Sequence, residues 1–329
     1  MMYYSASMNT LDESLTNAVK EGELLESSLT NIRLLLAGTK SPIACEAVEE
    51  LAAAGEWQEL NDRFYKTLAF GTGGLRGRTI GSIVTRAEQG NGGVNGRPEY
   101  PCVGTACMNY FNVGRAMRGL IIYVKKHVEA TDPGRKPRLV IGHDTRHFSR
   151  DFAEFCAKIG TDLGCDIYLF DSPRATPEVS FAIRELNADS GVVLTASHNP
   201  SHDNGFKAYF NDGAQLVPPH DKAVIEEVNS LTSEEYEPLP EDRRGTLHVL
   251  DASFDRVYMD RLKTVLLQQG RRQNRLLQPP RHGRPYHRSP AEGTGLQRAD
   301  RGGAGRAGRP LPDGGLPQPG KPAGPGPGH

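Results

Sequence analysis

The sequence predicts an α/β fold in which helices wrap a largely parallel sheet, with a helical lead-in before it and a tail without a fold of its own behind it. Three observations carry this expectation. Between residues 138 and 196, short Val- and Leu-rich runs alternate with amphipathic stretches, the strand, helix, strand, helix, strand order that builds parallel sheets. Before that block, residues 10–69 repeat apolar residues at three- and four-residue spacing, the period of a helix with one buried face. After it, Arg271 to His329 hold 13 Gly, 11 Pro and 10 Arg and no Val, Ile or Phe, so burial there is too small to offset the entropy of ordering.

Taken in order, "LDESLTNAVKEGELLESSLTNIRLLLAG" and "ACEAVEELAAAGEWQELNDRFYKTLAF", interrupted at Gly55, predict a lead-in of two or three helices. "FGTGGLRGRTIG" follows, and its glycines at 71, 73, 74 and 77 rule out a stable helix and mark a loop whose backbone bends sharply or approaches something closely. Residues 106–128 predict the next helix, and a polar linker at 131–138 leads to the alternating block. There "RLVIGHD", "DIYLFD" and "SGVVLTA" predict strands. The helices between them begin at Ser149, expected as an N-cap, and at Thr176, expected to cap with Pro177 in the first turn. "FKAYFNDGAQLV" predicts a hairpin turning at Asn211-Asp212-Gly213, and further helices are expected near 220–231 and 252–268. No internal repeat is present.

The net charge of −1 averages an acidic body and a basic tail: residues 271–329 carry +8 and residues 1–270 carry −9. The tail lacks the aromatic platform of a single-strand binder, so no specific nucleic-acid partner is expected. The five cysteines are odd in number and scattered, and Cys102 and Cys107 lack the spacing and histidine partners of a zinc site, so free thiols are expected. The longest apolar run, "LIIYV" at 120–124, is far too short to span a bilayer, and no signal pattern precedes it. The expectation is a soluble, cytoplasmic protein without a membrane partner.

Chemistry concentrates in "TASHNPSHDNGFKAYF". Ser197 should lie just past the C-terminal end of a buried strand, where open α/β sheets bind ligands, with His198, Asn199 and Lys207 close by. A serine hydrolase needs a Gly-x-Ser-x-Gly elbow, which is absent. The Gly-rich stretch follows a helix where a dinucleotide fingerprint demands a strand, and no Walker motif occurs. A serine carrying a phosphoryl group suits the loop better, because it gains roughly −1.5 to −2 charge and needs the cations the loop supplies.

"TASHNPSHDNGFKAYF" resembles the phosphoserine loop of the α-D-phosphohexomutases, the phosphoglucomutases and phosphomannomutases. "FGTGGLRG" resembles that family's first active-site loop and "VIGHDTRHFS" its Gly-x-Asp-x-Arg segment, in the family's order. The helical lead-in and the form "GTGGLRG" look closest to the branch of larger phosphoglucomutases and phosphopentomutases. The resemblance implies a three-layer α/β/α first domain with a mainly parallel mixed sheet over 56–218, behind a helical extension over 1–55. It further implies a linker and the start of a second domain over 219–270, before the tail at 271–329. It implies that Ser197 is a phosphoserine exchanging its phosphoryl group with a sugar monophosphate through a bound sugar 1,6-bisphosphate, interconverting 1- and 6-phosphates, glucose being the favoured sugar. Ser197 would also ligate Mg²⁺. His198, Lys207 and Arg76 would handle proton transfer and charge at the moving phosphoryl, with Lys207 or Arg76 as general base; His198 has a turn-stabilising role as its alternative. Thr72, Gly73, Gly74 and Asn199 would line the substrate side, and Asp144 and Arg146 would brace the loop. His143 and His202 are read as ordinary loop histidines.

The pattern also breaks. There is no Asp-Gly-Asp-Gly-Asp-Arg-like loop to supply metal carboxylates, no Gly-Glu-x-Ser-Gly-like sugar loop and no distal phosphate loop. The Gly-Pro-Arg-Ala-His bias from about Gly270 resembles GC-rich coding DNA translated out of frame, so a truncated or frameshifted chain with little or no turnover of its own is expected. The competing reading is a noncatalytic phosphosugar-binding or regulatory module. The sequence leaves the oligomeric state open.

Overall fold

Four helices precede the sheet: α1 (Met2–Lys20), α2 (Glu26–Gly38), α3 (Pro42–Ala53) and α4 (Trp57–Phe64). The structure is a computed structural model that describes residues 2–71 and 74–266; Thr72, Gly73 and the tail 271–329, all named above, lie outside the described residues. The lead-in therefore has more helices than expected, because its breaks are sharper than its leucine pattern suggests. Gly22 turns at φ +78° after α1, Gly55 turns at φ +70° before α4, and Pro42 sits in the first turn of α3, where no N–H is required. Leu15, Ile32, Leu35, Val48, Leu51, Leu60 and Phe64 close these helices around their own core.

The glycine-rich stretch departs from the expected loop. Gly74–Arg78 form strand β1, paired antiparallel with the later strand β5 (Asp203–Phe210), Gly74 opposite Lys207 and Arg78 opposite Asp203. Gly74 has φ +140°, and a Cβ there would lie 1.7 Å from the carbonyl oxygen of Phe206. Only glycine lets this strand approach its neighbour so closely. A short helix, α5 (Arg86–Gln89), follows with a capping box between Thr85 and Glu88. Helix α6 (Tyr110–Thr131) begins four residues later than expected, capped by Asn109. Residues 102 and 108 instead bond to β1's end, Cys102 N donating to Thr79 O at 2.8 Å and Met108 N to Arg78 O at 2.9 Å.

The alternating block forms as anticipated: β2 (Arg138–His143), α7 (Ser149–Asp162), β3 (Asp166–Phe170), α8 (Thr176–Glu185) and β4 (Ser190–Leu194). The sheet order is β1-β5-β4-β2-β3-β6, with β4, β2, β3 and β6 parallel and β5 and β1 antiparallel to their neighbours. Period-two alternation explains why the strands read as continuous apolar runs, since both faces are covered. Leu139, Ile141, Val192, Leu194 and Phe206 pack with α6, α7 and α9 (His220–Ser230). Val140, Val193 and Tyr209 face the other way, toward Val179, Ala182 and Ile183 of α8 and Phe254 of α10 (Ala252–Val265). This is a three-layer α/β/α arrangement. Each fully buried Phe, Leu or Ile stabilises it by roughly 1.5–3 kcal/mol relative to exposure.

Two expected caps are not caps. Phe148, at φ +63°, holds the position before α7, and the Ser149 hydroxyl donates instead to Asp144 Oδ1 at 2.6 Å. Ala175 precedes α8, and Thr176 lies inside it, its hydroxyl near Tyr209. At Ser149 the side chains of Asp144 and Asn204 take the oxygen that local pattern assigns to the backbone. The expected turn at 211–213 forms, with Gly213 at φ +76° and Phe210 N donating to Ala214 O, but its return arm is reduced to one bridge between Tyr209 and Gln215. Residues 219–266 add α9 against α6 and a sixth strand, β6 (Leu247–Leu250), parallel to β3 at the sheet edge.

A buried ionic knot ties the lead-in to β1. Arg63 of α4 is fully buried, its Nε 2.8 Å from Glu59 Oε1 and its Nη1 2.5 Å from Glu88 Oε1. The same Glu59 oxygen reaches Arg78 Nη2 of β1 at 3.1 Å.

Candidate functional site

The C-terminal ends of β4 and β2 lie side by side, His143 opposite Leu194, so the loops that follow them meet. The loop after β4 carries Ser197. Apolar β4 is buried throughout, as are Thr195 and Ala196, and the polar run from Ser197 turns out toward solvent. Ser197 sits at φ +57°, a left-handed conformation uncommon outside glycine, with an exposed side chain. Thr195 Oγ1 accepts from Ser197 N at 2.9 Å and Ala196 O accepts from Asn199 N at 3.1 Å.

Arg146, in the loop after β2, holds this turn by its carbonyls. Its Nη2 donates to Ser197 O at 2.7 Å and to Asn199 O at 2.6 Å, and its Nη1 to Pro200 O at 2.5 Å and Asp203 O at 3.2 Å. A planar guanidinium fork reaches four acceptors that a single ammonium cannot. Asp144 orients it: Oδ1 accepts from Arg146 N at 2.9 Å and from Ser149 Oγ, while Oδ2 lies 3.2 Å from Arg146 Nε as an ion pair off the hydrogen-bonding direction. The remaining predicted residues gather on the strands alongside. Arg76, on β1, is exposed and its Nη1 donates to Asn199 Oδ1 at 3.4 Å. Asn199 Nδ2 donates to Asp203 Oδ2 at 3.0 Å.

Lys207 is half-buried on β5, opposite Gly74. Partial burial lowers its pKa from the ordinary lysine value, and the charges of Arg76 and Arg146 add to the effect against Asp144. His198 is exposed and makes no hydrogen bond among the described residues. His143 is buried with Nδ1 3.0 Å from Asp144 O, and burial lowers its pKa; His202 contributes its backbone carbonyl to Thr79. Of the predicted set, Ser197, Asn199, Arg76, Lys207, Asp144, Arg146 and Gly74 therefore belong to one edge of the sheet. Sequence reasoning missed Asn204. Its Nδ2 donates to His147 O and Ser149 Oγ, both at 2.9 Å, which joins the Ser197 loop to the start of α7. An Asn-Gly pair opening a strand was the available signal.

The site is rich in cations and poor in available carboxylates. Asp144 is spent on Arg146 and Ser149, and Asp203 on Asn199 and His202. Among the described residues no group of three or more His, Cys, Asp or Glu could hold a metal ion. The described residues therefore do not fit a complete Mg²⁺ site, which needs several oxygen ligands in near-octahedral array. Also among the described residues, no helix is long and apolar enough to cross a membrane.

Comparison with known proteins is consistent with this geometry. Residues 67–235 match the family model of phosphoglucomutase/phosphomannomutase, alpha/beta/alpha domain I. The chain is 30% identical over 237 residues to a phosphopentomutase of Homo sapiens, covering 68% of this chain and 34% of that protein. It is 37% identical over 159 residues to a phosphoglucomutase of Staphylococcus epidermidis, covering 48% of this chain and 24% of that protein. Among solved structures, a phosphoglucomutase/phosphomannomutase family protein of Burkholderia thailandensis aligns at 19% identity and a TM-score of 0.38, covering 60% of this chain and 35% of that one. The chain spans about a third or less of the curated relatives' length. With the family model covering half of the sequence and falling on the sheet, its helices and the Ser197 loop, the chain belongs to the phosphoglucomutase/phosphomannomutase family, and residues 67–235 are its domain I.

Proposed function

We propose that this chain supplies the phosphoryl-carrying half of a phosphosugar mutase, with Ser197 as the carrier and glucose phosphates as its substrates. One observation carries the reading: Ser197 presents an exposed hydroxyl while its backbone is held by Arg146, on a sheet edge that also bears Arg76 and Lys207. Phosphoryl transfer asks a protein mainly for positioning and charge stabilisation, and this edge supports both.

In the proposed step a sugar hydroxyl oxygen forms a bond to the phosphorus on Ser197 as the Ser197 Oγ–P bond breaks, and a base removes the hydroxyl proton. Lys207 suits that role better than Arg76, since its lowered pKa makes the neutral amine more accessible. Arg76 acts as a fixed donor to phosphoryl oxygens. Asn199 and Gly74 border the substrate; Asp144 and Arg146 hold the loop. His198, exposed beside Ser197, exchanges protons with the phosphoryl oxygens. The reverse transfer, from a bound sugar 1,6-bisphosphate, reloads the serine. Mg²⁺ would neutralise phosphoryl charge, but its carboxylate ligands are not among the described residues, and no step above runs through it.

The test is intact-mass analysis of the 329-residue chain incubated with glucose 1,6-bisphosphate, followed by mapping of the modified residue. Phosphate on Ser197, exchangeable with added bisphosphate and absent in Ser197→Ala, is the expected result. A chain that binds glucose 6-phosphate but never gains phosphate would instead be a noncatalytic phosphosugar-binding module.

A further inference from the structure

Beneath β1, away from the Ser197 loop, Cys102 and Cys107 face each other with their sulfurs 3.3 Å apart. Their backbones are tied down from several directions. Cys102 N donates to Thr79 O, Asn109 Nδ2 donates to the carbonyls of Cys102 and Gly104, and Asn112 Nδ2 donates to those of Cys107 and Thr105. Between the cysteines, Gly104 at φ +159° makes the close turn; a Cβ there would lie 3.0 Å from Cys107 Sγ. The chain thus holds two thiols in contact rather than letting them separate.

Arg63 and Arg78 lie near the pair, and so does Glu88, which takes part in the same ionic knot. The sulfur contact with Cys102 lowers the Cys107 pKa from its ordinary value, burial opposes it, and the charges of Arg63 and Arg78 reinforce it. Cys102 is pushed the other way, first by its bond to Cys107 and then by burial. The two sulfurs therefore differ, proton loss being easier at Cys107 than at Cys102, an asymmetry that favours Cys107 as the attacking sulfur. Cys156 and Cys165 are simply pushed up by burial, Cys165 to about 12.

We propose that Cys102 and Cys107 form a redox-convertible dithiol, a modification site that takes a small hydroperoxide-class oxidant and closes to a disulfide against strand β1. The Cys107 thiolate attacks one peroxide oxygen, the O–O bond breaks, and hydroxide leaves, giving a sulfenic acid. Cys102 sulfur then displaces that hydroxyl as water and loses its proton. Overall two thiols and one hydrogen peroxide give one disulfide and two waters. Both sulfurs are almost fully buried, so entry of the oxidant depends on brief opening of the 101–109 segment, and the reaction is slow beside that of a surface thiolate. Because this segment bonds to Arg78 and Thr79 at the end of the strand bearing Arg76, the disulfide would stiffen that strand's lower edge.

The experiment exposes the native chain to hydrogen peroxide, alkylates remaining thiols under denaturing conditions, and maps the cysteines by mass spectrometry before and after dithiothreitol. Expected is the loss of two hydrogens on a peptide linking Cys102 to Cys107, reversed by the reductant. In Cys102→Ser, Cys107 is expected to be trapped as a dimedone adduct; the mapping in the unaltered chain decides the matter even where that variant does not fold. Full alkylation of both residues after peroxide overturns the proposal, as does a link from either to Cys45, Cys156 or Cys165, or sulfinic acid at either without the link. None of these readouts depends on phosphosugar chemistry.

Discussion

The guanidinium of Arg146 donates to the main-chain carbonyl of Ser197 at 2.7 Å, across the gap between the loops that follow β2 and β4. Its partners are almost all backbone oxygens, so the contact sets the path of the loop and leaves the serine hydroxyl unencumbered. Arg146→Ala is expected to destabilise the fold by about 3 kcal/mol and to raise amide exchange over residues 195–203. Arg146→Lys should recover little, because one ammonium cannot span four carbonyls. Hydrogen-exchange mass spectrometry checks this, and unchanged protection in the Ala variant would refute it.

Gly74 is a second structural test. A methyl group 1.7 Å from Phe206 O cannot be accommodated without separating β1 from β5. Gly74→Ala should therefore lose β1 pairing and displace Arg76, at a cost of several kcal/mol, on the order of 3 or more. Amide protection at Leu75 and Gly77 equal to that of the unaltered chain would count against it.

The Arg63 knot should behave as a buried pair broken on one side. Removing the guanidinium leaves Glu59 and Glu88 buried together, so Arg63→Ala is expected to cost about 3–5 kcal/mol in urea unfolding. Arg33→Ala, which breaks a solvent-exposed pair with Asp12, should cost under about 1 kcal/mol.

Glu178 gives a pH signature. Burial, then the neighbouring Asp255 carboxyl, raises its carboxyl to about 7, against the charge of Arg174. A folded-state pKa above the unfolded value means that the protonated form is favoured on folding. Its stabilising contribution is complete below about pH 4.3, the unfolded value, and is lost as pH rises through 7. Glu178→Gln should remove that dependence and leave the chain more stable than the original at pH 8, by on the order of 2 kcal/mol. Denaturation curves at pH 5 and pH 8 measure it, and equal pH slopes for the two proteins would exclude it.

Lys207 and Arg76 are coupled through charge. Arg76→Ala is expected to move the Lys207 titration upward, toward but not to the ordinary lysine value, since burial is the larger cause. NMR titration of ¹³C-methylated lysines reads it directly, and a Lys207 resonance that does not shift would dissociate the two residues.

How much of this was legible beforehand follows from where each residue finds its partners. Strands β2, β3 and β4 announce themselves because burial on both faces forces continuous apolar runs, and the turn at Gly213 because its backbone needs a left-handed residue. The Ser197 loop was readable for a similar reason: two serines, two histidines, two asparagines and a lysine in sixteen residues fit a polar edge. Ser149 is not the cap its position suggests, since a hydroxyl's choice between the backbone and a partner such as Asn204 is not a local property.

Local sequence determined the elements, the acidic body, the basic tail and the candidate serine, because periodicity, backbone freedom and composition act over a few residues. Tertiary structure alone decided that a glycine-rich stretch becomes an antiparallel strand against Lys207, that β6 extends the sheet, that Arg146 grips carbonyls rather than a carboxylate alone, and that Cys102 meets Cys107. Each depends on close approach between surfaces whose shapes exist only after the chain has packed, and pairing free energy between such surfaces leaves no periodic trace in the residues that make it.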